Sequence, residues 1–222
     1  MIALVDYNAG NLTSVRKALA TIGADVFVPT QPSDLPRARA IIVPGVGHFA
    51  ATRALGPEWI DALLTSIGDG RPLLGICLGM QWLYESSEEA PDLKGLGVLS
   101  GRCVRLEANH PATVRLKADT TYDRDEVHRK ANAAATIKIP HVGWNSLTIT
   151  RETSIVAGVP SGAQVYFTHS YVAPITAHTA AVTEHGAPFA AIVQRGHVAG
   201  VQFHPEKSGE VGLRILRNFL AL

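Results

Sequence analysis

Through the first hundred residues, short apolar runs alternate with stretches of helical spacing. Residues 2–6 read as a buried strand; Leu12, Val15, Ala18, Leu19 and Ile22 then recur at helical intervals, and Gly23 stands where that helix would end. The cycle repeats. Residues 25–28 and 40–43 predict the next two strands, 59–67 a helix, 72–76 a fully buried fourth strand, and 78–84 a further helix. Strands separated by helices in this manner point to a doubly wound sheet.

Beyond about residue 97 the period shortens to two. Val104 and Leu106, Ile137 and Ile139, Leu147 and Ile149, Val165 and Phe167, and Ala180 and Val182 are apolar positions two apart, and Ile192 and Val193 form a short run. Half-buried strands of this kind extend a sheet in antiparallel fashion, and residues 211–220 close the chain as an amphipathic helix. The expected fold is therefore α/β: a doubly wound, mixed, mostly parallel sheet with helices on both faces and an antiparallel extension in the C-terminal half. Residues 1–222 are expected to form one domain without internal repeats. Residues 107–136 fit neither half, since they carry few large apolar side chains, the charge cluster Asp123, Arg124, Asp125, Glu126 and an alanine-rich polar stretch. They read as a surface insertion.

Composition narrows the function classes. With 222 residues the chain can bury roughly 70–75% of its unfolded surface, and 46% hydrophobic against 18% charged residues sets it apart from disordered chains. Twenty Lys plus Arg against 19 Asp plus Glu leaves a net charge of +1 and no long-range field to gather nucleic acid or an anionic membrane. Neither is expected as a partner. Cys77 and Cys103 form no CxxC pair and no metal-ligand spacing, which fits a reducing, cytoplasmic setting. The opening MIALVDYNAG lacks the basic and cleavage features of a signal peptide, and no run reaches the roughly 18–20 apolar residues of a membrane span.

The candidate chemistry lies at strand ends. Gly75-Ile76-Cys77-Leu78-Gly79 follows a predicted strand and opens a predicted helix, which is the pattern of a nucleophile on a tight strand-to-helix turn. The glycines admit close approach, the N–H of Leu78 can face an oxyanion, and a helix N-terminus favours the thiolate, the reactive form of cysteine. A thiol of this kind needs a base. His204 follows the apolar residues 198–203, and Pro205 keeps the chain out of a helix interior there. In extended chain the Glu206 carboxylate projects to the same side and can orient the imidazole. Pro44-Gly45-Val46-Gly47, also directly after a predicted strand, can present backbone N–H groups to a developing negative charge.

Together Cys77-Leu78-Gly79-Met80-Gln81, His204-Pro205-Glu206 and the PGVG loop resemble the class I glutamine amidotransferases. Asp6-Tyr7-Asn8-Ala9-Gly10-Asn11, Pro140-His141-Val142-Gly143-Trp144-Asn145 and Phe167-Thr168-His169-Ser170-Tyr171 narrow the resemblance to the glutaminase subunits of imidazole glycerol phosphate synthases. It spans nearly the whole chain, and the PGVG form separates it from relatives with PGPG; residues 107–136 have no counterpart in the compact family pattern. The resemblance implies hydrolysis of glutamine through a thioester on Cys77, with His204 relaying protons and Glu206 orienting it. It places Gly45, Val46, Gly47 and Leu78 near the oxyanion, and Gln81, Glu89, Ser170 and Tyr171 around the substrate. Gln81 also has an independent argument, because it stands one helical turn after Cys77. The implied partner is a separate (β/α)8-barrel cyclase subunit, in a heterodimer that incorporates the ammonia during histidine biosynthesis; Asn11, Trp144, Asn145 and Tyr171 would face it. No metal or organic cofactor is implied. The alternatives are a glutaminase serving another synthase, a free γ-glutamyl hydrolase, or a non-catalytic regulatory homologue. Partner identity separates the first two, and the presence of Cys77, His204 and Glu206 argues against the last.

Overall fold

The computed structural model describes residues 1–107 and 137–222. Apart from Glu107, the expected insertion at 107–136 lies outside the described residues. The first half runs β1 (Ile2–Leu4), α1 (Leu12–Thr21), β2 (Val26–Phe27), β3 (Ala40–Val43), α2 (Pro57–Gly68), β4 (Leu73–Ile76), α3 (Leu78–Trp82) and β5 (Ser86–Ser87). After β6 (Arg102–Arg105) come β7 (His141–Ser146), β8 (Thr148–Ile149), β9 (Gln164–His169) and β10 (Tyr171–Val172). β11 (Thr179–His185), β12 (Ala187–Arg195), β13 (Val198–Val201) and α4 (Gly209–Leu220) complete the chain.

Eight strands form the central sheet in the order β2-β1-β3-β4-β13-β12-β11-β8. The five from β2 to β13 are parallel, whereas β12, β11 and β8 are joined antiparallel. The strict alternation of a strand explains why both faces need cover. Ile2, Leu4, Ile42, Leu74, Ile76 and Val201 pack on one side with Leu19 of α1 and Ile215, Leu216 and Phe219 of α4. Ala3, Val5, Ile41, Val43 and Leu73 pack on the other with Leu63 of α2. The expected doubly wound sheet with an antiparallel extension is thus the observed one. Its first helix ends as expected too: Gly23 takes φ +74°, and its N–H reaches the Ala20 carbonyl at 3.0 Å. No helix among the described residues is long and apolar enough to cross a membrane.

Two expectations need correction. Residues 137–139 are not strand: Pro140 brings no N–H for a ladder, and the strand begins at His141. Nor do all period-two segments extend the main sheet. β6 lies between β5 and β10 in a three-stranded sheet, and among the described residues β7 pairs only with β9. Alternation reveals a half-buried strand, but its partner is decided by contacts far away in sequence.

Candidate active site

Strands β3, β4 and β13 run parallel, so their carboxyl ends share one edge of the sheet, where ligand sites in such folds gather. At that edge stand the loop 44–47, Cys77 and His204. Cys77 links β4 to α3 with φ 52° and ψ −106°, a conformation that disfavours any side chain. Its surroundings impose it. The Cys77 N–H donates to the Val201 carbonyl at 2.7 Å, while its own carbonyl accepts from the Gln81 N–H at 3.1 Å. A Cβ on Gly75 would sit 2.5 Å from the Gly79 carbonyl oxygen, and one on Gly79 would collide with the Val43 carbonyl. Both glycines are therefore required by close backbone approach. The Cys77 sulfur lies 3.8 Å from the Thr168 carbonyl oxygen and 3.6 Å from Gln202 Nε2.

His204 approaches from β13. Its N–H donates to the Tyr166 carbonyl, and its carbonyl accepts from the Ser208 hydroxyl at 2.7 Å, which fixes the backbone on both sides of the ring. Pro205 then opens a single 3-10 turn, and that turn brings Glu206 Oε1 to 2.8 Å from His204 Nδ1, with both side chains buried. Burial pushes the imidazole pKa down, but the neighbouring Cys77 sulfur and the Glu206 carboxylate outweigh it and raise it to about 10. The Glu206 contact is an aligned hydrogen bond. His204 Nε2, on the other side of the ring, is buried and makes no hydrogen bond.

A narrow cleft of about 40 Å³ borders Cys77, and Gly47, Leu78, Gln81, Glu89, Ser170 and Tyr171 all line it. Thr168 and His169, which the sequence reading left without a role, line it as well. Glu89 Oε2 accepts the Phe49 N–H at 2.7 Å, and Gln81 spends both hydrogens of its amide on the Tyr171 carbonyl (2.8 Å) and Gln202 Oε1 (3.1 Å). The loop 44–47 behaves differently. The Val46 N–H donates to the Ala9 carbonyl at 2.7 Å, and the Leu78 N–H to the Gly45 carbonyl at 3.3 Å. Gly45 is pressed beneath the buried Tyr7 hydroxyl and Leu78, where a side chain would clash; Gly47 sits at φ +94° with open space around it.

The residues expected at a docking face separate. Trp144 is 57% exposed, as is Val142 on the same side of β7. Asn145 is turned inward: its Nδ2 lies 3.3 Å from His141 Nε2 and donates to the Glu184 carbonyl at 2.9 Å. Asn11 caps α1 by accepting the Ser14 N–H at 3.2 Å. Gln202 was missed altogether. Its signal was there to read, as a polar residue within the otherwise apolar run 198–203, because a fully buried amide must find partners. Among the described residues, no group of three His, Cys, Asp or Glu side chains is arranged to hold a metal.

A cysteine on a strained turn, a buried His-Glu pair and a glycine loop at one sheet edge form an arrangement that can support attack of a thiol on an acyl carbon. The sequence matches the family described as glutamine amidotransferase class-I over residues 3–222, and the chain belongs to that family. Among its relatives is "Imidazole glycerol phosphate synthase subunit HisH" of Halobacterium salinarum, 42% identical over 99% of this chain and 92% of the relative. The protein of the same name from Xanthomonas axonopodis pv. citri is 40% identical over 100% and 97%. Two solved structures share the fold: a glutamine amidotransferase (TM-score 0.69, 20% identity, 100% and 98% covered) and PurLQS from Thermotoga maritima (TM-score 0.70, 17% identity, 99% and 97% covered).

Proposed function

We propose that this chain is the glutaminase subunit of an imidazole glycerol phosphate synthase, a cytoplasmic enzyme of histidine biosynthesis, and that Cys77, His204 and Glu206 carry its chemistry. The observation that supports this most is the convergence of a thiol on a strained turn with a buried, carboxylate-oriented imidazole, within a family that acts on glutamine. The Cys77 thiolate forms a bond to the side-chain amide carbon of glutamine, and the π pair of the C=O bond moves onto the carbonyl oxygen. His204, as imidazolium, protonates the departing nitrogen. The C–N bond breaks and ammonia leaves a γ-glutamyl thioester. The now neutral imidazole takes a proton from water, hydroxide adds to the thioester, and glutamate departs as the thiolate re-forms. Glu206 holds the imidazole in the tautomer this exchange needs. Thiolate, imidazole and water suffice for the reaction, so no cofactor is required.

Gln81, Glu89, Ser170 and Tyr171 bound the substrate cleft, and the N–H groups of the loop 44–47 and of Leu78 receive the oxyanion once they are released from their present acceptors. Rotation of the peptide between Gly45 and Val46 would free both donors, since that peptide supplies the Val46 N–H and also the carbonyl that holds the Leu78 N–H, and the glycine before it permits the turn. We assign that release to docking of a (β/α)8-barrel cyclase subunit, which takes up the ammonia, on the face that carries Trp144. Support comes from exposure: an indole more than half open beside an equally exposed Val142 is a common form of interface anchor. The test is glutamine turnover by the purified pair, with Cys77→Ala in parallel. Turnover that needs Cys77 supports the proposal; turnover unchanged in the variant overturns it.

A further inference from the structure

Two buried histidines link the exposed edge to the cleft, which His169 lines and His141 backs. The β7–β9 ladder sets His141 directly opposite His169. His141 Nδ1 lies 3.1 Å from His169 Nε2, and His169 Nδ1 lies 3.1 Å from the Tyr171 carbonyl oxygen. His141 is clamped between two rings, Phe167 at 4.7 Å and His185 at 4.0 Å between centroids, both stacked nearly parallel to it. We propose that His141 and His169 form a one-way hydrogen-bond relay that positions the Cys77 sulfur according to what sits on the Trp144 edge, a role that rests on the glutaminase reading of Cys77.

The direction of the relay follows from chemistry. A carbonyl only accepts, so His169 Nδ1 carries a proton. Burial and the neighbouring imidazole lower the pKa of both rings, to about 3 for His169 and about 4 for His141, so each ring has one N–H only. His169 Nε2 is therefore an acceptor, His141 Nδ1 its donor, and His141 Nε2 an acceptor in turn. Its donor is Asn145 Nδ2 at 3.3 Å. The orientation of that amide is fixed independently, because Nδ2 also donates to the Glu184 carbonyl and Oδ1 accepts the Ser146 N–H at 2.8 Å. No member of the series can turn round without stranding a neighbour.

Beyond Tyr171 the line continues. The same carbonyl accepts from Gln81 Nε2, whose second hydrogen goes to Gln202 Oε1, and this leaves Gln202 Nε2 to face the Cys77 sulfur at 3.6 Å. Six hydrogen bonds thus connect Asn145, next to the exposed Trp144, with the nucleophile. A partner that presses on β7 shifts the donor at one end, and the amide that solvates the thiolate moves at the other. Coupling of this kind needs contiguous groups with defined arrangements, and here every polar atom along the line has a single assignment.

His141→Phe tests the proposal, since it keeps the ring, the stacking and the volume while removing the donor to His169. In the complex with the cyclase subunit, kcat for glutamine should fall roughly three- to tenfold with KM little changed, as expected for a lost buried hydrogen bond felt at the thiolate. His141→Asn, whose side-chain amide can donate where Nδ1 does, should restore most of it. In the wild-type complex, ¹⁵N NMR of the histidine rings should show His141 and His169 neutral with the proton on Nδ1, a readout that does not depend on how well any variant folds. An Nε2 proton on either ring, or His141→Phe with unchanged kcat, overturns the relay. Loss of wild-type turnover in Cys77→Ala secures the underlying reading, whereas equal turnover in that variant overturns that reading and the relay with it.

Discussion

The side of the site that handles protons is assembled, and the side that would stabilise negative charge is not. Glu206 and His204 are 2.8 Å apart, buried, and supported by backbone bonds on both flanks of the ring. Across the cleft, the Val46 and Leu78 N–H groups are occupied by the Ala9 and Gly45 carbonyls. The first arrangement is local, two residues apart on a proline-directed turn, and needs nothing from outside. The second hangs on the peptide between Gly45 and Val46, whose N–H and carbonyl are both held by contacts outside the loop. An enzyme that must not release ammonia without an acceptor gains from this division: nucleophile and base can be permanent, while the oxyanion donors remain conditional.

The sharpest way to break the assembled side is Cys77→Ala. It should lower glutamine turnover by a factor of about 10⁴ or more, because nothing else at the site can form the thioester. A glutamine-analogue alkylator should label Cys77 and leave Cys103 untouched; burial pushes the Cys103 thiol far above its ordinary pKa, so almost no thiolate exists there. Label on Cys103 by peptide mapping would contradict the assignment. Glu206→Gln probes the same side more gently, with an expected loss in kcat on the order of a hundredfold and little change in KM. An unchanged kcat would mean that the carboxylate does not orient the imidazole.

Trp144→Ala acts on the conditional side, from a distance. Its indole is 57% exposed, so the isolated subunit should keep its melting temperature while affinity for the cyclase subunit drops by about 2 kcal/mol, or roughly thirtyfold. A fall in melting temperature with unaltered affinity would remove Trp144 from the docking face. The smallest effect concerns acid stability. His141 and His169 have folded-state pKa values near 4 and 3, below their ordinary value, so between about pH 6.5 and 4 the unfolded chain binds protons that the folded one refuses. Their contribution is full above pH 6.5 and is lost as the pH falls toward 4. Melting temperature should drop over that range, and less steeply in His141→Phe.

Much of this site can be read from the chain because its constraints are local. Gly75, Cys77 and Gly79 announce the turn, since only glycine tolerates backbone at such distances, and His204, Pro205 and Glu206 announce the oriented base within three residues. The alternation of strands and helices in the first half is equally direct. Elsewhere the deciding contacts lie far apart in sequence. Ile137 and Ile139 have strand spacing, yet no ladder forms before His141. Gln202 shows as a polar residue in an apolar run, but that it joins Gln81 to Cys77 becomes plain only once β13 lies beside β4. His141 and His169 belong to separate motifs until the β7–β9 ladder pairs them. The state of the loop 44–47 is not written in its four residues at all, because Pro44, Gly45, Val46 and Gly47 allow either orientation and the acceptor that selects one is the distant Ala9.

The division between a permanent base and conditional oxyanion donors is tested most directly by glutamine turnover of the isolated chain, compared with the chain plus cyclase subunit loaded with that subunit's own ligand. We expect slow hydrolysis alone and a rise in kcat of at least roughly a hundred- to a thousandfold with the loaded partner, the worth of a single oxyanion donor, with a much smaller change in KM. Full kcat from the isolated chain, indifferent to the partner and its ligand, would contradict it.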